Sequence, residues 1–251
     1  MTSQPPTICV INPNTSTAMS EGIATSARGV SRGEIIMHTS RHGPASLEGH
    51  FDEAIAVPGL LERMIETEHG DTRVDGYLIA CFGDPGLAAA REISPVPVMG
   101  VAEAGMQMAA MVARRFSVVT TLARTLPIAE RLLHEYGKRE QCAGLHACEL
   151  PVAAFESEDD SVYETLLAAC RAALEVDDSD AILLGCAGMS ELAERLGETL
   201  GVPVIDGVTA GVALLEAVSA TGYPVSKRGD RAAPLAKPLY GAFEHLSRST
   251  S

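Results

Sequence analysis

The sequence predicts an α/β fold of two pseudo-symmetric lobes, each a parallel four-stranded sheet flanked by helices, with the working site in the cleft between them. Three observations predict it. Short, almost wholly apolar runs alternate with longer amphipathic stretches along the 251 residues, the pattern of parallel strands covered on both faces by helices. A passage of the first half recurs in the second. Tyr77-Leu-Ile-Ala-Cys81-Phe-Gly-Asp-Pro-Gly86 leads on to Pro97-Val-Met-Gly100, and Ile182-Leu-Leu-Gly-Cys186-Ala-Gly-Met-Ser-Glu191 leads on to Pro203-Val-Ile-Asp206. The offset is 105 residues from Cys81 to Cys186 and 106 from Pro97 to Pro203, so register is kept across strand, turn, helix and next strand. Third, Ile8-Cys-Val-Ile-Asn12 opens the first half much as Phe116-Ser-Val-Val-Thr120 opens the second.

In chain order, the apolar run Ile8 to Ile11 reads as a strand closed by Asn12-Pro13, and Asn14, Thr15 or Ser16 can cap a helix over Thr17 to Ala27. Ile35 to Thr39 reads as the next strand. The segment Arg41 to His50 carries no clear periodicity, and long connections of that kind are often lids. A helical period returns over Asp52 to Glu68, followed by strand Tyr77 to Ala80, helix Leu87 to Glu92, strand Val96 to Met99 and helix Glu103 to Ala113. The second half repeats the order: strand Ser117 to Thr120, helix Pro127 to Tyr136, strand Ala143 to Glu149, helix Asp160 to Leu174, strand Ala181 to Leu184, helix Glu191 to Leu200 and strand Val202 to Ile205. A last helix, Gly207 to Thr221, precedes a weakly periodic tail from Lys227 to Ser251 that reads as surface loop plus a short helix. The lobe boundary falls near Val101. Residues 1–100 with 208–251 form the first lobe in this reading, and residues 101–207 the second.

Bulk properties exclude several partners. A formal charge of −14 and the absence of a basic stripe argue against nucleic acid or an anionic membrane surface. Met1-Thr-Ser-Gln-Pro-Pro6 has no basic n-region, and no apolar run approaches the roughly 18 residues of a membrane span, so a cytoplasmic location is expected. The six cysteines are then reduced there. They show neither CxxC nor zinc-finger spacing, the seven histidines are scattered with no HxH pair, and a metal site is not expected. No P-loop and no G-x-G-x-x-G is present, so no nucleotide cofactor is expected either. Gly29-Val-Ser-Arg-Gly33 matches G-x-S-x-G but follows a helix and precedes a strand, the reverse of a nucleophile elbow.

Ligands of doubly wound sheets bind outside the carboxyl ends of the strands, where Asn12, Cys81, Thr120 and Cys186 are all placed by the pattern. A thiol in a strand-to-helix turn meets the positive end of the helix dipole and free N–H groups, which are expected to lower its pKa from about 8.5 toward neutrality. A single cysteine there reads as a small apolar residue ending a buried strand. Two in register read as an acid/base pair. Cys9, Cys142, Cys148 and Cys170 fit structural roles, the acidic runs Glu156 to Asp160 and Asp177 to Asp180 read as solvated turns and helix caps, and His42 and His50, within reach of a substrate if that segment is a lid, read as surface residues. Asn12 and Asn14, with Thr120 and Thr121 at the matching place in the second half, are candidate substrate-binding residues.

These residues resemble those of the aspartate/glutamate/hydantoin racemase superfamily, specifically its hydantoin and allantoin racemases. The resemblance runs through Ile11-Asn-Pro-Asn-Thr15, Gly43-Pro-Ala-Ser-Leu-Glu-Gly49 with Asp52-Glu-Ala, Ala80-Cys-Phe-Gly-Asp-Pro-Gly86, Phe116-Ser-Val-Val-Thr-Thr121, Gly185-Cys-Ala-Gly-Met189, Pro203-Val-Ile-Asp-Gly207 and Ser226-Lys-Arg-Gly-Asp230. It implies a two-lobed fold, Cys81 and Cys186 as the catalytic pair, no cofactor and no metal, a small-molecule substrate and a homo-oligomer. Amino-acid racemases of the superfamily follow the first cysteine with Asn-Thr and the second with Thr, side chains that hold an α-carboxylate. Here Phe82-Gly83 and Ala187-Gly188 stand instead, leaving backbone N–H groups better suited to a neutral ring carbonyl. The expected activity is therefore racemisation of 5-substituted hydantoins at C5, with allantoin as the alternative substrate. A maleate isomerase, an arylmalonate decarboxylase and a non-catalytic binder are lesser alternatives on the same scaffold.

Overall fold

The computed structural model describes residues 5–157 and 159–246. Two four-stranded sheets, parallel throughout, are built in the same way. Strands β1 (Thr7–Asn12), β2 (Glu34–Thr39), β3 (Gly76–Ile79) and β4 (Val98–Gly100) form the first in the order β2-β1-β3-β4; β5 (Phe116–Thr120), β6 (Cys142–Ala147), β7 (Ala181–Leu184) and β8 (Val204–Ile205) form the second in the order β6-β5-β7-β8. The repeated sequence is thus a repeated topology. In each sheet the order reverses between the first and third strands, and there Ile11 pairs with Ile79 and Val119 with Leu184. That reversal opens a crevice at the strands' carboxyl ends. Cys81 and Cys186 each follow the third strand of their sheet, beside Asn12 and Thr120.

The strands are apolar because both faces are covered. Ile8 to Ile11, Tyr77 to Ile79, Val118, Val119 and Ile182 to Leu184 have no exposed surface, and each such large side chain contributes about 1.5–3 kcal/mol relative to exposure. Helices α1 (Thr17–Val30), α2 (His50–Glu68) and α3 (Leu87–Ile93) belong to the first half, and α5 (Leu126–Glu135), α6 (Asp160–Asp177) and α7 (Ala193–Leu200) to the second. Two helices lie between the sheets. Helix α4 (Val101–Val112) leaves β4 of the first sheet yet buries Ala102, Met106 and Ala109 with Phe116, Val118 and Leu183 of the second. Helix α8 (Gly207–Thr221) leaves β8 of the second and packs Val208, Val212 and Leu215 against Ile8, Val10 and Leu78 of the first.

Several details depart from the expected elements. The turn after Cys186 opens as a 3-10 helix, Ala187–Leu192, before α7, so the helix expected from Glu191 begins differently. Helix α2 starts at His50 and carries Pro58 in its interior. The connection before it is pinned rather than free: the Pro44 carbonyl accepts from Thr15 N–H at 3.0 Å, and Glu48 Oε1 accepts from Val152 N–H at 2.9 Å. The tail holds two short 3-10 turns, Gly229–Arg231 and Gly241–Leu246, while the expectations for Ser247 to Ser251, for Glu158 and for Met1 to Gln4 lie outside the described residues. No helix among the described residues is long and apolar enough to cross a membrane.

Candidate active site

One pocket gathers the ends of four strands. It is lined by Asn14 after β1, Cys81, Phe82 and Gly83 after β3, Thr120 and Thr121 of and after β5, and Cys186 and Ala187 after β7, closed in by apolar Met19, Leu47, Ile128 and Val152. Eight of the ten sequence-predicted site residues therefore meet in one place. The two exceptions have physical reasons. Asn12 is fully buried beneath the pocket, and its amide is spent on the turn: Nδ2 donates to Asn14 Oδ1 at 2.7 Å, to Ser20 Oγ at 3.0 Å and to the Ser16 carbonyl at 3.2 Å. It shapes the loop that carries Asn14. Gly188 faces a neighbouring groove with Phe155 and Glu191, while its N–H bonds the Cys186 thiol from behind.

Of the residues that do line the pocket, Asn14 is almost wholly buried, with Oδ1 accepting from Ser16 N–H at 2.9 Å and Nδ2 directed at Met19 Sδ. Thr120 Oγ1 donates to the Gly185 carbonyl at 2.9 Å, tying the end of β5 to the Cys186 turn. Phe82 and Ala187 are buried apolar covers of the two turns. Both cysteines keep a face open while the other four are buried, and all six are free thiols.

The electrostatics reverse the expectation of lowered thiol pKa values. Burial pushes the Cys81 thiol well above its ordinary range, opposed by the Gly83 N–H and reinforced by the nearby Cys186, Glu53 and Asp84. Burial likewise pushes Cys186 up to about 11, opposed by the N–H groups of Gly188 and Met189 and reinforced by Cys148 and Glu48. The reason lies in the turns. Helix α3 begins only at Leu87, with Gly86 in a left-handed conformation before it, so no helix N-terminus faces Cys81. Cys186 caps only a 3-10 turn. Enclosure by apolar walls then outweighs the N–H donors.

Two acidic residues here escaped sequence reasoning. Asp84 ends the Cys81 turn in a left-handed conformation, φ 46°, buried, with Oδ1 accepting from Ala102 N–H at 2.9 Å and Oδ2 from Glu103 N–H and Tyr136 Oη, each at 2.8 Å. Glu53 of α2 reaches over Gly83, so closely that a Cβ there would strike its carboxylate. The Asp-Glu-Ala at the start of α2 and the Gly-Asp after Cys81 were visible, but nothing in linear sequence brings α2 onto the Cys81 turn.

Comparison with known proteins identifies the family of the chain. The Asp/Glu/Hydantoin racemase family model matches residues 8–215. A hydantoin racemase of Rhizobium meliloti is 44% identical, covering 93% of this chain and 97% of that protein; one of Pseudomonas sp. (strain NS671) is 41% identical, covering 96% and 97%. The solved allantoin racemase from Klebsiella pneumoniae superposes with a TM-score of 0.92 at 52% identity, covering 96% of this chain and 99% of that one. With its duplicated topology and its pair of turn cysteines, the chain belongs to the Asp/Glu/Hydantoin racemase family.

Proposed function

We propose that this chain is a cofactor-independent racemase of 5-substituted hydantoins, using Cys81 and Cys186 as the two bases. It is an isomerase of the racemase type, and cyclic ureides are the substrates its similarity to hydantoin and allantoin racemases supports. The observation that carries the reading is the pair of thiols on one pocket, each at the end of the third strand of its own sheet.

The C5–H of a hydantoin stands beside the C4 carbonyl, and its removal builds charge on that oxygen. A thiolate of raised pKa is a strong base for a carbon-bound proton, at the cost of being a minor species near neutrality. In this mechanism the backbone N–H groups of Phe82 and Ala187 stabilise the enolate oxygen, each donor being worth about 3 kcal/mol in sites of this kind. The opposite thiol returns a proton to the other face. Cys81 is the base for one antipode and Cys186 for the other. Asn14, Thr120 and Thr121 hold the urea edge of the ring, and the absence of hydroxyl or amide side chains directly after either cysteine disfavours a free carboxylate there.

Leu47, Phe82, Ile128 and Val152 give the pocket an apolar wall, which favours apolar 5-substituents. A second reading, allantoin, is favoured by the higher identity to the Klebsiella pneumoniae enzyme. Polarimetry decides between them: single-enantiomer 5-benzylhydantoin and single-enantiomer allantoin are followed in parallel with chelator and reductant present. Faster decay names the substrate, and decay no faster than the spontaneous rate with both overturns the racemase reading. We also expect a homo-oligomer, which sedimentation tests.

A further inference from the structure

A two-thiol racemase has an unanswered proton problem. When the Cys81 thiolate takes the C5 proton and the Cys186 thiol delivers its own, product leaves behind Cys81 as thiol and Cys186 as thiolate. The enzyme is now charged for the wrong antipode. To turn over the same antipode again, Cys81 must lose a proton and Cys186 must gain one.

We propose that Glu53 is the proton relay that recharges Cys81, carrying its proton out of the pocket to solvent beside the exposed His50 imidazole. The inference rests on the racemase reading and extends it. Glu53 is a member of both the cysteine pocket and the adjoining outer pocket, which is lined by His50, Arg131 and Glu135. Its two oxygens face opposite ways. Oε1 lies against Gly83, the residue whose N–H bonds the Cys81 thiol, and this buried oxygen has no hydrogen-bond partner among the described residues. Oε2 lies 3.5 Å from His50 Nδ1 and 4.0 Å from the Arg131 guanidinium, and the His50 side chain is 70% exposed. An acceptor left unpaired beside a thiol that must surrender a proton is well placed to receive it. The pocket's cavity of about 50 Å³ exceeds the ~10–15 Å³ that one bridging water needs.

The charges around Glu53 suit both protonation states. Burial pushes its carboxyl up from the ordinary range, while Arg131 and His50 pull it down. The remaining ionisable neighbours on the Cys81 side are Cys186 and Asp84. The step balances: the Cys81 S–H proton passes to the Glu53 carboxylate at Oε1, rotation of the carboxyl about its Cγ–Cδ bond carries that O–H to the outer side, the proton leaves from there to His50 or water, and the Cys186 thiolate takes one proton from solvent.

The test uses the fact that net conversion needs recharging and exchange at equilibrium does not, because flux in one direction recharges the enzyme for the other. Glu53→Gln is compared with the parent protein on whichever ureide the parent racemises. Expected are a fall of about tenfold or more in net conversion of one saturating enantiomer, and exchange of carbon-labelled substrate between antipodes at equilibrium within about twofold of the parent. Glu53→Ala should recover net conversion when formate is added, a readout that also serves if Glu53→Gln folds poorly. A carboxylate that merely held substrate or structure would lower both rates together, and that outcome, or no change in either, overturns the relay. A parent protein inert toward both ureides overturns the racemase reading along with it, whereas a failure confined to the variants overturns the relay alone.

Discussion

Cys81 and Cys186 are alike in sequence setting and unlike in surroundings, and the difference governs how the pocket should respond to substitution and pH. Cys81 sits in an irregular turn whose carbonyl accepts from Asp84 N–H and which Glu53 covers, while Cys186 opens a 3-10 turn and has Glu48 as its acidic neighbour. In the proposed mechanism neither substitutes for the other, because each serves one face of the ring. Cys81→Ser and Cys186→Ser should each lower net racemisation by about 10²–10⁴-fold, the range of a lost acid or base, read by polarimetry. A hydroxyl is a far weaker base, so each variant should also lose deuterium wash-in from the antipode its cysteine serves. The pH profile follows from the direction of the thiol shifts. Both pKa values are raised, so the thiolate is scarce at neutrality and its population grows as pH rises; for Cys186 the growth continues toward about 11. The rate at low substrate should therefore climb from pH 7 to pH 10 and fall only when the proton-donating thiol also ionises. A bell centred near neutrality would contradict the burial argument.

At the scale of elements, the turn after β3 matters most, because it joins the first sheet to helices that cover the second. Asp84 caps the first turn of α4 through Ala102 and Glu103 and receives the Tyr136 hydroxyl from the end of α5, and burial pushes its pKa up to about 7 against those three donors. An unfolded aspartate titrates near 3.9. The folded protein thus holds a proton that the unfolded chain releases between those values, so this contribution is complete below about pH 4 and is lost as pH rises through about 7. Urea midpoints should fall across that window. Asp84→Asn should flatten this slope and cost about 1–3 kcal/mol, since one arm of the amide is a donor and leaves a backbone N–H or the Tyr136 hydroxyl without its acceptor. Such coupling explains how much was legible beforehand. The strands were legible because parallel, doubly covered strands must be continuously apolar, and Cys81 and Cys186 because duplication repeats position. The burial of Asn12 was not legible, because a buried amide satisfying its own turn and an amide lining a pocket have the same local sequence. Glu53 and the raised thiol pKa values were illegible for another reason: both depend on what packs over a turn, and α2 reaches the Cys81 turn only in three dimensions.

On the scale of the whole molecule, the relative placement of the two thiols depends on how the sheets are joined, and α4 and α8 join them by crossing from one to the other. Their contact is close because glycines make it so. A Cβ on Gly105 would lie 2.6 Å from Leu183 Cδ1 and 3.4 Å from Gly207 Cα, and a Cβ on Gly207 would overlap the Val101 carbonyl, a backbone atom that cannot rotate aside. Gly207→Ala must therefore separate the helices, at about 1–3 kcal/mol for an overpacked contact. Movement on the order of 1 Å between reacting groups can cost about 10²-fold in rate, so net racemisation should fall far more than stability does. Gly29→Ala provides the comparison, because nothing lies within 4 Å of the added methyl in α1; it should leave the rate unchanged. Polarimetry and urea melts on the two variants separate the possibilities. If Gly207→Ala is destabilised yet races at the parent rate, each cysteine turn is positioned by its own sheet, and the crossing helices serve cohesion alone. If the rate collapses while the fold survives, the geometry of catalysis is a property of the junction, and neither half could have evolved its cysteine's role without the other.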